Sequence, residues 1–478
     1  MSDPSLTAIR ATVDAQGWVD DPQLMAPYLQ EWRDRFQGAA LAVLRPSTTE
    51  QVAAIVRQAG KDGIQIVPQG GNTGLAGGSM PYPGERAILL SLQRMNRIRE
   101  IDALDYTVVA EAGCVLETVQ QAVEAEDRLL PISLGAKGSC TIGGMISTNA
   151  GGVMTLRYGN MRDRVLGIEA VLPDGQVWNG LSRLRKNNTG YDLRQLFVGA
   201  EGTLGVVTAA VLSLVPRPRQ TETAFVAVRD PAAAIALLAR LRDASGDSLV
   251  GFELIPLILL DSAIRNVAGT VDPLMGRYEW YVLIEATSGT PDGTLRAALE
   301  RALADAIEAG LVLDAAMAES VAQRNQFWFI REAIVEAQRF EGGSIKHDIS
   351  VPVSRVAEFI ERASETALAL VPGIRPVAFG HVGDGNIHFN LTQPAGADTV
   401  VYLSRWEELN RLVHDVALNL GGSISAEHGI GRFKREELAR VKNPLELDMM
   451  RRIKTAIDPE GMMNPGALFF QKDGPKSS

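Results

Sequence analysis

Three glycine-rich segments constrain this chain more than any other feature: PQGGNTGLAGGS at Pro68–Ser79, GAKGSCTIGGMISTNAGG at Gly135–Gly152, and YDLRQLFVGAEGTLGVVT at Tyr191–Thr208. Glycine has no Cβ, so such segments let backbone N–H groups approach an anion or another chain segment to distances that side chains forbid. The first follows the strand-like run IQIV but lacks the Gly-Lys-Ser/Thr of a Walker loop, and it does not fit a G-x-G-x-x-G fingerprint opening a helix. The second is so rich in Gly, Ser, Thr and Asn that it reads as a backbone-rich binding loop rather than core.

The sequence around these segments alternates β-branched runs with helical patterns. LAVLRP, a Thr-capped amphipathic TTEQVAAIVRQAGKDG, IQIVPQGG, AILLSL and YTVVAEAG follow one another, the rhythm of an α/β unit. A break at PRPRQ near Pro216 precedes a second set of strands (TAFVAV, WYVLIEA) and helices (PAAAIALLARLRDA, TLRAALERALADAIEAG). From about Pro444 the pattern turns helical, then turn-rich in DPEGMMNPGALF, and ends in the polar QKDGPKSS. The expected division is therefore 1–217, 218–425 and a closing segment 426–478, in a mixed α+β fold without internal repeats.

Composition narrows the function classes. At 478 residues the chain should build more than one core, and 46% hydrophobic with 22% charged residues is ordinary for a soluble protein. A net charge of -10 and the lack of a basic cluster argue against a nucleic-acid surface. Two cysteines, Cys114 and Cys140, are too few for an iron–sulfur cluster or a disulfide framework. The start MSDPSLTAIR lacks a signal pattern and no apolar run approaches ~20 residues, so a cytoplasmic protein without a transmembrane segment is expected.

Taken together, the three segments resemble the FAD-binding domain of the vanillyl-alcohol oxidase superfamily over nearly the whole amino-terminal half. The resemblance implies a two-part FAD-binding domain followed by a sheet-and-helix substrate domain and a C-terminal helical segment. It implies that Gly70, Gly71, Asn72, Thr73, Gly74, Gly77, Gly78 and Ser79 contact the pyrophosphate and that Pro68 and Asn464 belong to the cofactor site. Gly135, Ser139, Gly143, Ser147, Asn149, Gly152, Glu201, Gly202 and Val206 would line the rest of the cofactor. Some members of that superfamily attach the flavin covalently. Here all five histidines lie at 347 or beyond, and the small-residue surroundings of Cys140 suit a packed thiol, so FAD is expected to be non-covalent.

In the second half, VAFGHVGDGNIHFNLTQ (Val377–Gln393) has apolar alternation on both sides of Asp384-Gly385, which predicts a two-residue hairpin turn. That register sets His381 opposite His388, with Cβ atoms about 5 Å apart, and points Asn390 to the same face. Two imidazoles need a carboxylate to complete an open catalytic dication site, and SISAEHGIGRFK offers Glu427, with Gly429 and Gly431 to bend the chain.

These stretches, with KHDISVP, are similar to the D-2-hydroxyglutarate and D-lactate dehydrogenase branch of the flavoproteins. The resemblance implies His381, His388 and Glu427 as zinc ligands, His428 as catalytic base, and Arg331, Lys346 and Asn390 as substrate-binding residues. Asn464 in NPGALF would return the carboxy terminus to the flavin domain. The implied reaction oxidises a D-2-hydroxy acid, D-2-hydroxyglutarate first, with D-lactate or D-malate as alternatives and a non-redox flavoprotein synthase as a more distant one. Val335 stands where the diacid enzymes tend to carry a hydroxyl residue. Electrons would pass to a soluble acceptor such as electron-transfer flavoprotein, or to a quinone pathway; a homodimer is left open.

Overall fold

The computed structural model describes residues 4–31 and 36–470, so the tail QKDGPKSS lies outside the described residues. The chain forms two compact units. One comprises Met1–Ala150, Asn160–Arg217 and Glu427–Ser478; the other comprises Gly151–Gly159 and Pro218–Ala426.

Among the described residues the first unit holds two larger sheets and a two-stranded one, in which Val215–Pro216 pairs with Arg128–Leu129. Strands β1 (Trp18–Val19), β2 (Val43–Leu44), β3 (Gln65–Gln69) and β4 (Ala87–Ser91) assemble in the order β1-β2-β4-β3, with β2 and β3 parallel to β4. Helix α1 (Thr49–Lys61) makes the crossover from β2 to β3. Val52, Ile55, Val56 and Ala59 recur at helical spacing and are buried, and the Thr48 side chain caps the Gln51 N–H, an interaction typically worth about 1 kcal/mol. The second sheet is antiparallel: β5 (Ile98–Asp102), β6 (Thr107–Glu111), β7 (Val165–Val171), β8 (Val177–Gly180) and β9 (Val206–Ser213), ordered β5-β6-β9-β7-β8. Every residue of β9 is buried, as a central strand covered on both faces requires.

The second glycine-rich segment departs from the sequence reading. Residues Ile142–Thr148 form a helix, α2, and Ile142, Gly143, Met145 and Ile146 pack in the core beside Cys114 and Cys140. Its small residues serve close packing: a Cβ on Gly143 would stand 2.6 Å from the Ala112 Cβ. The carboxy-terminal segment closes this unit, with Met463 bridging β3 at Ile66 and Met462 joining the same core.

Among the described residues the second unit has two sheets. Strands β10 (Gln220–Val228), β11 (Leu249–Pro256), β12 (Trp280–Ser288) and β13 (Val312–Met317) pair antiparallel in the order β11-β12-β10-β13. Period-two alternation splits β10 between two cores. Ala224, Val226 and Val228 meet helices α3 (Pro231–Ser245) and α4 (Thr294–Glu308); Phe225 and Ala227 meet helix α5 (Val321–Ala337).

The smaller sheet has the order β14 (Ser344–Ser350), β16 (Asn386–Thr392), β15 (Arg375–Phe379). Helices α6 (Val356–Leu370) and α7 (Trp406–Asn419) contribute Phe359, Leu409 and Val413 to the core that Ile345, Ile349, Ile387 and Phe389 of this sheet enter. An antiparallel bridge between Leu254 of β11 and Gly380 ties the two sheets together.

That bridge also explains why the predicted two-residue turn is absent. His388 pairs with Phe379 rather than with His381, and residues 380–385 form the connection. Gly380 spends both its N–H and its C=O on Leu254 (3.0 and 2.9 Å), which stops β15 before His381 can enter the ladder with β16.

Candidate active site

In the first unit the glycine-rich segments converge. A Cβ on Gly71 would stand 1.9 Å from the Ser139 carbonyl oxygen, and one on Gly70 2.4 Å from Thr141 Oγ1, so only glycine lets the first segment lie against the second. The third segment joins through the Glu201 N–H, which donates to the Ser147 carbonyl at 2.8 Å. Asn464 then spans two of them: its Nδ2 donates to the carbonyls of Gly78 (2.8 Å) and Glu201 (2.6 Å). Thr73 and Ser79 are half-buried on the first segment, where Ser79 Oγ donates to Asn72 Oδ1; Gly74 and Gly135 are exposed. Gly77, at φ +69°, lies against the Phe433 ring, Gly202 against Pro68, and Val206 opens β9. Gly152 belongs to the other unit.

These loops suit a dinucleotide such as FAD. Among the described residues, the N–H groups of residues 71–78 donate no hydrogen bond, which leaves a run of backbone donors aimed outside the secondary structure. Thr141 Oγ1 and Asn464 Oδ1 are likewise buried without a partner. Asn72, Asn149, Glu201 and Asn464 all hold positive φ (54°, 51°, 51° and 40°). Glu201 is buried, and burial pushes its carboxyl up to about 7 despite the N–H groups of Ile430 (2.8 Å) and Gly431 (2.7 Å) that it accepts. Those two contacts dock the segment carrying Glu427 and His428 inside this unit. Gly429 and Gly431, both at positive φ, make the bend, and a Cβ on Gly431 would stand 2.0 Å from the Ala76 carbonyl. Burial pushes the Cys140 thiol up to about 11, and its Sγ lies 3.7 Å from Met145 Sδ, as a packed thiol would.

In the second unit the smaller sheet presents one face as core and the other as chemistry. Register sets Lys346 opposite Asn390 and Asp348 opposite His388, so alternation puts all four on the face away from Ile345, Ile349, Ile387 and Phe389. Val377 and Phe379 of β15 share this face and pack with Ile330 and Ile334 of α5. Asn390 is buried and its Nδ2 donates to Gln338 Oε1.

His381 reaches the same neighbourhood from the 380–385 connection. Its ring centroid lies 5.4 Å from that of His388, and their ligand nitrogens are within 4.8 Å of each other. Gly380 makes room for this pair, since a Cβ there, already strained at φ +112°, would stand 2.7 Å from His388 Cδ2. Behind His381 stands Glu253, a lone carboxylate in the apolar strand LVGFELIP. Glu253 Oε1 lies 2.5 Å from His381 Nδ1, and its Oε2 accepts from Arg331 Nε at 2.6 Å. Burial alone would raise the Glu253 pKa, but His381 and Arg331 outweigh it and hold the carboxyl down at about 2.

Residues 423–426 run beside β14: Ser423 bridges Ser350, and the Ala426 N–H donates to the Asp348 carbonyl at 3.3 Å. Glu427 follows Ala426 directly. His381 and His388 are thus two neighbouring imidazoles of the kind that ligate a dication.

Sequence reasoning missed Glu253, Asp348, Gln338 and Thr141. Glu253 alone carried a usable signal, a single acidic residue inside an eight-residue strand that is buried throughout.

Comparison with known proteins gives a consistent picture. Residues 40–180 match the family described as FAD binding domain, and residues 217–468 the family described as FAD linked oxidases, C-terminal domain. The chain is 36% identical to a mitochondrial D-2-hydroxyglutarate dehydrogenase of Arabidopsis thaliana, over 94% of its own length and 78% of the relative's. It is 34% identical to a D-2-hydroxyglutarate dehydrogenase of Xanthomonas citri pv. viticola, over 99% of both. Its fold is similar to that of p-cresol methylhydroxylase with substrate bound, at TM-score 0.75 and 16% identity, over 97% of this chain and 95% of the other. Among the described residues no helix is long and apolar enough to cross a membrane.

Proposed function

The chain is an FAD-dependent hydroxy-acid dehydrogenase of the FAD-linked oxidase family, among the D-2-hydroxyglutarate dehydrogenases, and from that premise we propose that it converts D-2-hydroxyglutarate to 2-oxoglutarate. The observation that carries this reading is the buried arrangement around Glu253, which sets Arg331 and His381 on one carboxylate beside the face bearing Lys346, His388 and Asn390.

Bound non-covalent FAD supplies the two-electron acceptor for the hydride of C2, and a bound dication supplies Lewis acidity toward the substrate hydroxyl. His381, His388 and Glu427 would hold that dication, and zinc suits two imidazoles and a carboxylate. Arg331 and Lys346 hold the substrate carboxylates, and Asn390, fixed by Gln338, orients the acid. His428 takes the hydroxyl proton, the role of general base that an imidazole suits.

Val335, one turn beyond Arg331, is 50% exposed and offers no hydrogen bond, which favours D-lactate or D-malate as a second reading. Anaerobic mixing of the flavin-loaded protein with D- and L-2-hydroxy acids decides both questions. The expected result is bleaching by D-2-hydroxyglutarate, faster than by D-malate or D-lactate and absent with the L-acids. A flavin that no D-2-hydroxy acid bleaches would overturn the proposal.

A soluble acceptor such as electron-transfer flavoprotein, or a quinone pathway, would receive the electrons. Acceptor-dependent reoxidation assays separate the two. The protein works in the cytoplasm. Cell fractionation tests this, since the Arabidopsis relative is named mitochondrial and the Xanthomonas relative is not.

A further inference from the structure

The Glu253 carboxylate faces two donors at once. Arg331 Nε–H is always a donor, and it meets Oε2 at 2.6 Å. His381 Nδ1 meets Oε1 at 2.5 Å, and if Nε2 is the nitrogen that ligates a metal, Nδ1 must carry the proton and donate it. The side chain is 1% exposed, so water does not substitute for either oxygen. Arg331 is itself only 11% exposed and is held on a second side by the Phe379 ring, 5.4 Å from its Cζ. The bond to Glu253 uses Nε, so the two terminal nitrogens of the guanidinium stand outside it, in the fork geometry that receives a carboxylate.

The position of Glu253 follows from the fold. In β11, Phe252 and Leu254 enter one core and Ile255 the core shared with α5, so alternation turns Glu253 toward the α5 side, where Arg331 is. The Leu254–Gly380 bridge then brings the next pair in antiparallel register, Glu253 and His381, face to face.

We propose that Glu253 is a positioning residue that fixes both halves of the site, setting the His381 tautomer for metal binding through one oxygen and the Arg331 fork for the substrate carboxylate through the other. The inference rests on the metal and substrate roles proposed above. It makes a specific chemical prediction, because glutamine has one acceptor and one donor where glutamate has two acceptors. In Glu253→Gln, Arg331 claims the carbonyl oxygen and the amide N–H₂ turns toward His381 Nδ1. That contact favours the tautomer with the proton on Nε2, which opposes metal binding. Glu253→Ala removes both restraints.

The test is zinc affinity of the flavin-loaded full chain, measured by chelator competition, with steady-state kinetics at saturating zinc. Glu253→Gln should weaken zinc by about 10- to 100-fold, the usual effect of losing the partner of a ligating histidine, and change KM little. Glu253→Ala should weaken zinc as much and also raise KM for D-2-hydroxyglutarate by roughly tenfold, as loss of a charge-assisted contact implies. His388→Ala is measured alongside. If His388→Ala also binds zinc normally, the metal reading itself fails. If His388→Ala loses zinc while Glu253→Gln binds it within about twofold of the parent, the role of Glu253 alone is overturned, since a loss of at least ~10-fold is required. Should Glu253→Gln not fold, Glu253→Asp replaces it under the same threshold, since the shorter side chain cannot span both partners.

Discussion

Glu201 Oε2 accepts the Gly431 N–H at 2.7 Å, joining the third glycine-rich segment to the bend behind His428 across 230 positions of sequence. The carboxyl is buried, and its pKa of about 7 stands above the ~4.3 of an unfolded glutamate. A raised acid pKa means that the folded state binds the extra proton. The contribution is therefore present below about 4.3 and is lost as pH rises through about 7, at most about 4 kcal/mol. Melting temperature measured from pH 5 to 8 should fall with a component that Glu201→Gln abolishes. An identical pH profile in the variant would show that Glu201 does not titrate there.

Asn464 should be needed for flavin retention. Asn464→Ala leaves the carbonyls of Gly78 and Glu201 without their donor, at roughly 1–3 kcal/mol each, and puts alanine at φ +40°. The flavin absorbance per mole of protein after dialysis should drop well below that of the parent. Undiminished flavin content would rule out this anchoring role.

Gly380 should tolerate no side chain. In Gly380→Ala the new methyl meets His388 Cδ2 at 2.7 Å and sits at φ +112°. The expected outcome is a folded protein with normal flavin and about tenfold or lower kcat, accompanied by weaker zinc binding. Unchanged kinetics would mean that His388 moves without consequence.

Arg331→Ala should separate the substrates. KM for D-2-hydroxyglutarate and D-malate should rise by at least about tenfold, while D-lactate, with no distal carboxylate, is affected less. An equal loss on all three acids would instead assign Arg331 to the carboxylate that they share.

Acid precipitation of the holoprotein should leave the yellow colour in the supernatant, and Cys140→Ala should not alter that result. Colour remaining in the pellet would reveal a covalent flavin.

The convergence of the three glycine-rich segments was legible in the sequence. Glycine spacing reports local backbone geometry, and local geometry is what backbone donors for a phosphate require. The reading failed where small residues served packing instead. Composition alone does not separate a glycine that frees a loop from one, such as Gly143, that lets a helix approach its neighbour.

The histidine pair shows the same division. His381 and His388 could be named as partners from the Gly-rich motif that holds them, yet the register assigned to them was wrong, because hairpin rules consider two strands and the outcome depended on a third. The Leu254–Gly380 bridge ended β15 early and brought His381 in from a loop, with Glu253 behind it. Residue identity and local spacing thus determined which side chains this protein has to offer: the glycine-rich backbone segments, the histidine pair and the Glu-His motif. Only the tertiary structure decided which of these side chains share a carboxylate, because that depends on where separate sheets meet, and pairings between residues as distant as Glu253 and His381 leave no mark on local sequence pattern.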